Sequence, residues 1–128
     1  GSGILAMVAL RLGASYALGI DHDPIAIQYA GEYAQHNQFA SSLVLKTSTL
    51  EQLAPQPFDI ILANLDYLTL TSIHHLFQRF QEPTTTLLLS GLLKENEEEI
   101  TQLFLEKGWM VEATTIQGQW IAIHLQSE

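Results

Sequence analysis

The chain has 128 residues, of which 47% are hydrophobic and 15% are charged, so it has enough apolar mass to form a core. The formal net charge is −9 and no basic patch occurs, which argues against direct binding of nucleic acid. The absence of cysteine excludes a disulfide framework, a thiolate metal site and a cysteine nucleophile. No apolar run approaches the ~20 residues of a membrane helix, and no signal-peptide pattern is present. We therefore expect a soluble, cytoplasmic protein that does not bind a membrane.

The first predicted elements are an apolar helix and a short strand. Residues 4–12 are almost wholly apolar and end at Gly13, a pattern that predicts a buried helix with a glycine stop. Residues 16–20 follow as a short apolar strand that ends in Asp21. The carboxylate of Asp21 is therefore predicted to lie at the carboxyl end of this strand.

A second helix is predicted to begin directly after this strand. Asp23 can cap it, and Pro24 suits the first helical position. One apolar face is predicted for this helix, because Ile25, Tyr29 and Tyr33 recur at a spacing of four residues with Ala26, Ala30 and Ala34 beside them.

Strands and helices continue to alternate through the rest of the chain. Further helices are predicted after Asn64 and over residues 95–107, and the last two strands are joined closely enough for an antiparallel hairpin. The alternation predicts an α/β fold with a Rossmann-like, doubly wound, mostly parallel sheet that ends in this hairpin. The further predicted strands cover residues 43–45, 58–63, 86–89, 109–116 and 120–125.

Candidate ligand-binding residues precede the first helix and end the first strand. Gly1 and Gly3 would let the backbone approach a ligand at the amino end of the helix, where free N–H groups are available. Asp21 follows Gly3 by 18 positions, near the spacing at which an acidic side chain binds the hydroxyls of a nucleotide ribose. The alternatives are that Gly1-Ser2 is an expression remnant and that Asp21 is a turn residue ahead of the Asp23 cap.

Asn64 is the candidate residue for the part of the site where the reaction would take place. It follows the strand predicted over residues 58–63, and ligands of open parallel sheets bind at the carboxyl ends of the strands. Its carboxamide can hydrogen-bond an amine substrate or a cofactor, and the alternative is that it caps the next helix. No metal site is predicted, because the adjacent His74 and His75 would point ~100° apart on a helix.

Five short sequence blocks are spread across essentially the whole chain: residues 1–6 (GSGILA), 19–24 (GIDHDP), 63–65 (ANL), 89–92 (LSGL) and Trp120 in GQWIAI. In their residues and their order they resemble PrmA-type ribosomal-protein methyltransferases. The resemblance implies a class I S-adenosylmethionine-dependent methyltransferase fold, with residues 1–128 forming a single domain that lacks its first strand. It also implies N-methylation of amino groups of a ribosomal protein, the large-subunit protein L-eleven.

The resemblance also implies roles for individual residues. Gly1 and Gly3 would lie by the methionine part of S-adenosylmethionine, and Asp21 would bind its ribose. Asn64 would contact the cofactor and lie close to the transferring methyl group, as the catalytic residue. The missing first strand would lie between the strands predicted over residues 16–20 and 58–63.

The chain departs from the family pattern at two places that bear on the site. Lys46 and its neighbours replace an acidic residue near the adenine, and Asp66-Tyr67 replaces a small, proline-containing stretch after Asn64. A non-catalytic interaction module derived from a methyltransferase is compatible with these changes. A nicotinamide-dinucleotide-binding oxidoreductase would share the glycines and Asp21, but its sheet would not need the closing hairpin.

Overall fold

The computed structural model describes residues 3–128. The chain divides into two compact units, Gly1–Leu53 and Ala54–Glu128. Among the described residues, no helix combines the length and the apolar character that crossing a membrane requires.

The first unit alternates helices with the strands of a two-stranded parallel sheet. Its elements are α1 (Ile4–Arg11), β1 (Ala17–Asp21), α2 (Pro24–His36) and β2 (Leu43–Thr47). β1 and β2 pair in parallel, with Asp21 opposite Thr47 at their carboxyl ends. A small core forms where Met7 of α1, Ala34 of α2 and Leu43 of β2 meet. All four predicted elements of this region are confirmed, with ends shifted by one or two residues.

The expected burial of α1 is wrong. Met7 is its one buried residue, while Ile4 is 59% exposed and Leu12, just past the helix, is 82% exposed. A nearly continuous apolar run has no preferred face, so the pattern could not show that only one side of this helix packs against the unit.

The predicted apolar face of α2 is buried only at its alanines, whereas the predicted beginning of the helix at Asp23-Pro24 is confirmed. Ile25, Tyr29 and Tyr33 are each more than half exposed, whereas Ala30 and Ala34 are buried. The alanines face inward because the packing is close: a Cβ placed on Gly3 would lie only 3.1 Å from the Cβ of Ala30. Small side chains permit this approach, and the larger apolar residues remain on the neighbouring face.

The second unit is a four-stranded sheet with helices packed against it. The elements are β3 (Ile60–Asn64), α3 (Tyr67–Ile73) continuing as a 3-10 segment (His74–Phe80), β4 (Thr86–Leu93), a 3-10 turn (Lys94–Asn96), α4 (Glu97–Leu105), β5 (Trp109–Gln117) and β6 (Trp120–Ser127). The strand order is β3-β4-β6-β5, with β3 and β4 parallel and the β5–β6 hairpin antiparallel, as predicted.

The core of the second unit includes inward-facing residues of its strands, which alternate with exposed ones along β6. Trp109, the first residue of the hairpin, is fully buried. Trp120 is 52% exposed, because it lies on the face opposite to the buried Ile121 that follows it.

Among residues 3–128, β1 and β3 each have a single hydrogen-bonded neighbour. In the described part of the chain, β1 pairs with β2 and β3 pairs with β4, and no strand pairs with the other edge of either. No residue of these two strands is fully buried, although both are largely apolar. Central strands of parallel sheets are normally covered on both sides and both edges.

Candidate functional site

The amino end of α1 is shaped by Gly3. This residue has φ +80°, a left-handed conformation that favours glycine, and its carbonyl accepts a hydrogen bond from the Met7 N–H at 3.0 Å. No side chain among the described residues caps the helix, and its first turn contains no acidic residue. The amino end of α1 can therefore offer backbone N–H groups to an anionic or polar ligand. Gly1 lies outside the described residues.

Asp21 ends β1, as predicted, and forms the turn that leads into α2. Its Oδ1 accepts a hydrogen bond from the Asp23 N–H at 2.9 Å, and its backbone carbonyl accepts one from Ser48 at 2.9 Å. The side chain is 21% exposed, and the Nδ1 of His22 lies 3.6 Å from Oδ1. Asp21 is therefore a turn residue, as the alternative interpretation predicts. This is compatible with ligand binding, because a carboxylate can accept several hydrogen bonds.

Asn64 ends β3 in the second unit and does not cap α3. It is exposed and lies opposite Ser90 of β4, whose carbonyl accepts a hydrogen bond from the Leu65 N–H at 3.1 Å. The cap of α3 is Asp66, whose Oδ1 accepts the Thr69 N–H at 2.8 Å. The interpretation of Asn64 as a helix cap is therefore wrong, and its carboxamide is available for another role.

Two side chains that follow Asn64 closely in the sequence, Asp66 and Tyr67, have shifted pKa values. The hydrogen bond from the Thr69 backbone holds the pKa of the Asp66 carboxyl below its ordinary value. The hydroxyl of Tyr67 donates a hydrogen bond to the carboxylate of Glu99 at the start of α4, and this raises the pKa of Tyr67. Asp66 could have been recognised from its position directly before the helix. No local signal links Tyr67 to Glu99, which is 32 positions further on.

The predicted site residues are distributed over both units. Gly3 and Asp21 belong to the first unit, and Asn64 belongs to the second. Residues 3–128 contain no cluster of three or more histidine or acidic side chains able to hold a metal ion.

The fold is that of class I methyltransferases. A crystal structure of ribosomal protein L11 methylase from Lactobacillus delbrueckii subsp. bulgaricus is similar over the whole chain, with a TM-score of 0.89 and 27% identity, and the match covers 66% of that protein. The magnesium protoporphyrin IX methyltransferase of Synechocystis, crystallised with bound S-adenosylmethionine, has the same fold, with a TM-score of 0.81 at 15% identity. This match covers all of the present chain and 66% of the other.

The sequence comparisons identify the family. The family model described as ribosomal protein L11 methyltransferase (PrmA) matches residues 1–128. Curated ribosomal protein L11 methyltransferases from Pelobacter propionicus and Desulforapulum autotrophicum are 38% and 32% identical to the chain over 124 residues, 96% of its length. The chain belongs to the ribosomal protein L11 methyltransferase family. It spans only 40% and 41% of the length of these two relatives.

Proposed function

We propose that the chain is part of an S-adenosylmethionine-dependent methyltransferase that methylates amino groups of a ribosomal protein in the cytoplasm. The observation that carries this proposal is the position of Asn64. It stands exposed at the carboxyl end of a strand of a methyltransferase fold, and the helix that follows has a different cap. A polar side chain left available at this edge suits ligand contact in open parallel sheets.

The first unit offers groups that fit S-adenosylmethionine. The amino end of α1 has no side-chain cap among the described residues, so its N–H groups suit the carboxylate of the methionine part. Asp21, at the carboxyl end of β1, suits the ribose hydroxyls, since an ionised carboxylate accepts hydrogen bonds from both. We propose that Gly3 and Asp21 bind the cofactor, and that Gly1 contributes beside Gly3.

Asn64 is proposed to contact the cofactor and to orient the acceptor amine. When bound, S-adenosylmethionine supplies a methyl group on a sulfonium, which is already activated for transfer. The carboxamide oxygen of Asn64 can accept a hydrogen bond from an amine N–H and so direct the nitrogen lone pair. An amide is no base at neutral pH, so the contribution of Asn64 is alignment, and the amine proton passes to solvent.

The test is a methyl-transfer assay with the full-length protein, S-adenosylmethionine labelled in its methyl group, and ribosomal protein L11. A titration with NADH, followed by its fluorescence, is run in parallel. We expect labelled L11, with the label retained on amino nitrogens after hydrolysis, and no binding of NADH. An acidic protein of similar size serves as the control acceptor and should remain unlabelled.

The other outcomes separate the alternatives. Binding of S-adenosylmethionine without transfer to any ribosomal protein would indicate the non-catalytic interaction module. Binding of NADH in place of S-adenosylmethionine would indicate an oxidoreductase. Transfer to a different acceptor would leave the methyltransferase activity in place and contradict the ribosomal substrate.

A further inference from the structure

The carboxyl end of β4 contains an irregularity beside Asn64. β4 pairs with β6 in regular antiparallel register up to Leu89, and the register has shifted when the pairing resumes at Leu92. Gly91 lies inside this shift and has φ +84°, in the left-handed region. A bulge of this kind bends a strand and redirects the neighbouring side chains.

The space above the Gly91 Cα is occupied by Asn64. A Cβ built on Gly91 would overlap the Oδ1 of Asn64, and it would lie 3.2 Å from the carbonyl oxygen and 3.3 Å from the nitrogen of Leu65. The Leu65 N–H donates a hydrogen bond of 3.1 Å to the Ser90 carbonyl, which links this backbone to β4. The peptide therefore has little freedom to move away, and a side chain at position 91 would displace the Asn64 carboxamide.

Other glycines of the second unit show that this contact is separate from backbone strain. Gly108 has φ +88°, but the nearest atom to its added Cβ is the Nε2 of Gln81 at 3.8 Å, an ordinary contact. Gly118 has φ +63° and nothing within 4 Å. An alanine at any of the three positions would strain the backbone, whereas only at Gly91 would it also overlap a proposed site residue.

We propose that Gly91 is a positioning residue for methyl transfer, because its missing side chain leaves the space in which β3 and β4 hold the Asn64 carboxamide. The inference rests on the proposed function, since it acts through Asn64. A purely structural glycine would affect folding to the same extent whether or not Asn64 carried its carboxamide.

The test compares Gly91→Ala with Gly108→Ala in the full-length protein. In Gly91→Ala we expect kcat for methyl transfer to fall by on the order of 10- to 100-fold, the scale of a misplaced catalytic group. The dissociation constant of S-adenosylmethionine should change much less. Gly108→Ala carries similar backbone strain and should keep the wild-type kcat.

A double-mutant cycle with Asn64→Ala separates positioning from strain. Once the carboxamide is removed, Gly91→Ala should lower kcat little further. Equal losses in the two backgrounds, or a wild-type kcat in Gly91→Ala, would overturn the inference while leaving the proposed function intact. An inactive wild-type protein would instead contradict the proposed function itself.

The double variant also shows the cause of misfolding if Gly91→Ala does not fold. Folding of the double variant Gly91→Ala/Asn64→Ala would then show that the overlap with the carboxamide is the cause. If the double variant also fails to fold, contact with the Leu65 backbone or strain is the cause, and the positioning role is refuted. In folded Gly91→Ala, the side-chain amide NMR signals of Asn64 should shift, and in Gly108→Ala they should not.

Discussion

Asp21 combines a turn hydrogen bond with a position at the end of a strand, and the two can be separated experimentally. In the full-length protein, Asp21→Ala should weaken the binding of S-adenosylmethionine by roughly 1–3 kcal/mol, because the ribose hydroxyls would lose a hydrogen-bond acceptor. Calorimetry measures the change. Asp23→Ala, which perturbs the same turn, serves as the control and should bind the cofactor nearly as well as wild type. Unchanged affinity in Asp21→Ala would remove this residue from the site.

The contact between Tyr67 and Glu99 gives a pH-dependent signature close to Asn64. Tyr67 should titrate above the ordinary value of 10.0, and Glu99→Gln should lower its pKa towards that value because the negative charge is removed. Glu98→Gln, one residue away, is the matched control. The ring-carbon NMR signals of the four tyrosines report the titrations. A pKa of Tyr67 that is equal in wild type and in Glu99→Gln would show that the contact does not form in solution.

The raised pKa of Tyr67 determines how its contribution to the stability of the fold depends on pH. The folded-state pKa of Tyr67 is raised above the unfolded value, so the protonated hydroxyl stabilises the fold at pH values below about 10. This contribution is lost as the pH rises through the folded-state pKa. Asp66 shows the opposite behaviour, since its folded-state pKa is lowered. Its contribution is present above the unfolded value of 3.8 and is lost as the pH falls through the folded-state pKa.

Among the elements, α2 has the most clearly defined beginning. The Oδ1 of Asp23 accepts the Ile25 N–H at 2.9 Å, and Pro24 occupies the first helical position. Asp23→Ala should therefore lower the free energy of unfolding by about 1 kcal/mol, the usual cost of a lost amino-terminal cap. Urea denaturation measures it, with Gln35→Ala on an exposed position of the same helix as the control. Equal stability of the two variants would show that the cap is dispensable.

The beginning of α2 could be predicted from the sequence, whereas the part of its apolar face that is buried could not. Asp23-Pro24 encodes the start of α2 in two adjacent residues, so the sequence alone is sufficient. The inward face of α2 depends on how closely Gly3 approaches Ala30, which is a tertiary contact. The spacing could not show whether the large residues or the alanines of the predicted apolar face would be buried, and the close approach selects the small ones.

For the molecule as a whole, the alternation of strands and helices was sufficient to predict the class of fold. The closing hairpin pointed to the methyltransferase type, and the resemblance in five blocks pointed to the family. The surroundings of Asn64 could not be predicted from the sequence. They depend on Ser90 and Gly91, which are remote in sequence and are brought beside Asn64 by the pairing of β3 with β4. The single domain over residues 1–128 stays a prediction.

One edge of β1 and one edge of β3 have no partner strand in the part of the chain that the structure describes, which leads to a prediction about the longer protein. The resemblance implies that a further strand pairs with these edges, and backbone groups of edge strands otherwise depend on water. Amide protons of β1 and β3 should therefore exchange with solvent faster in the isolated 128-residue chain than in the full-length protein. The β5–β6 hairpin serves as the internal reference. Equal protection of β1 and β3 in both proteins would show that no further strand pairs there.

The central claim is that Asn64 serves methyl transfer and does not serve as a helix cap. The most direct test is Asn64→Ala in the full-length protein, assayed for kcat, for the dissociation constant of S-adenosylmethionine and for Tm, with Asp66→Ala as the comparison. We predict that Asn64→Ala lowers kcat about tenfold or more with cofactor affinity and Tm nearly unchanged, and that Asp66→Ala lowers Tm. A wild-type kcat combined with a lowered Tm in Asn64→Ala would contradict the claim.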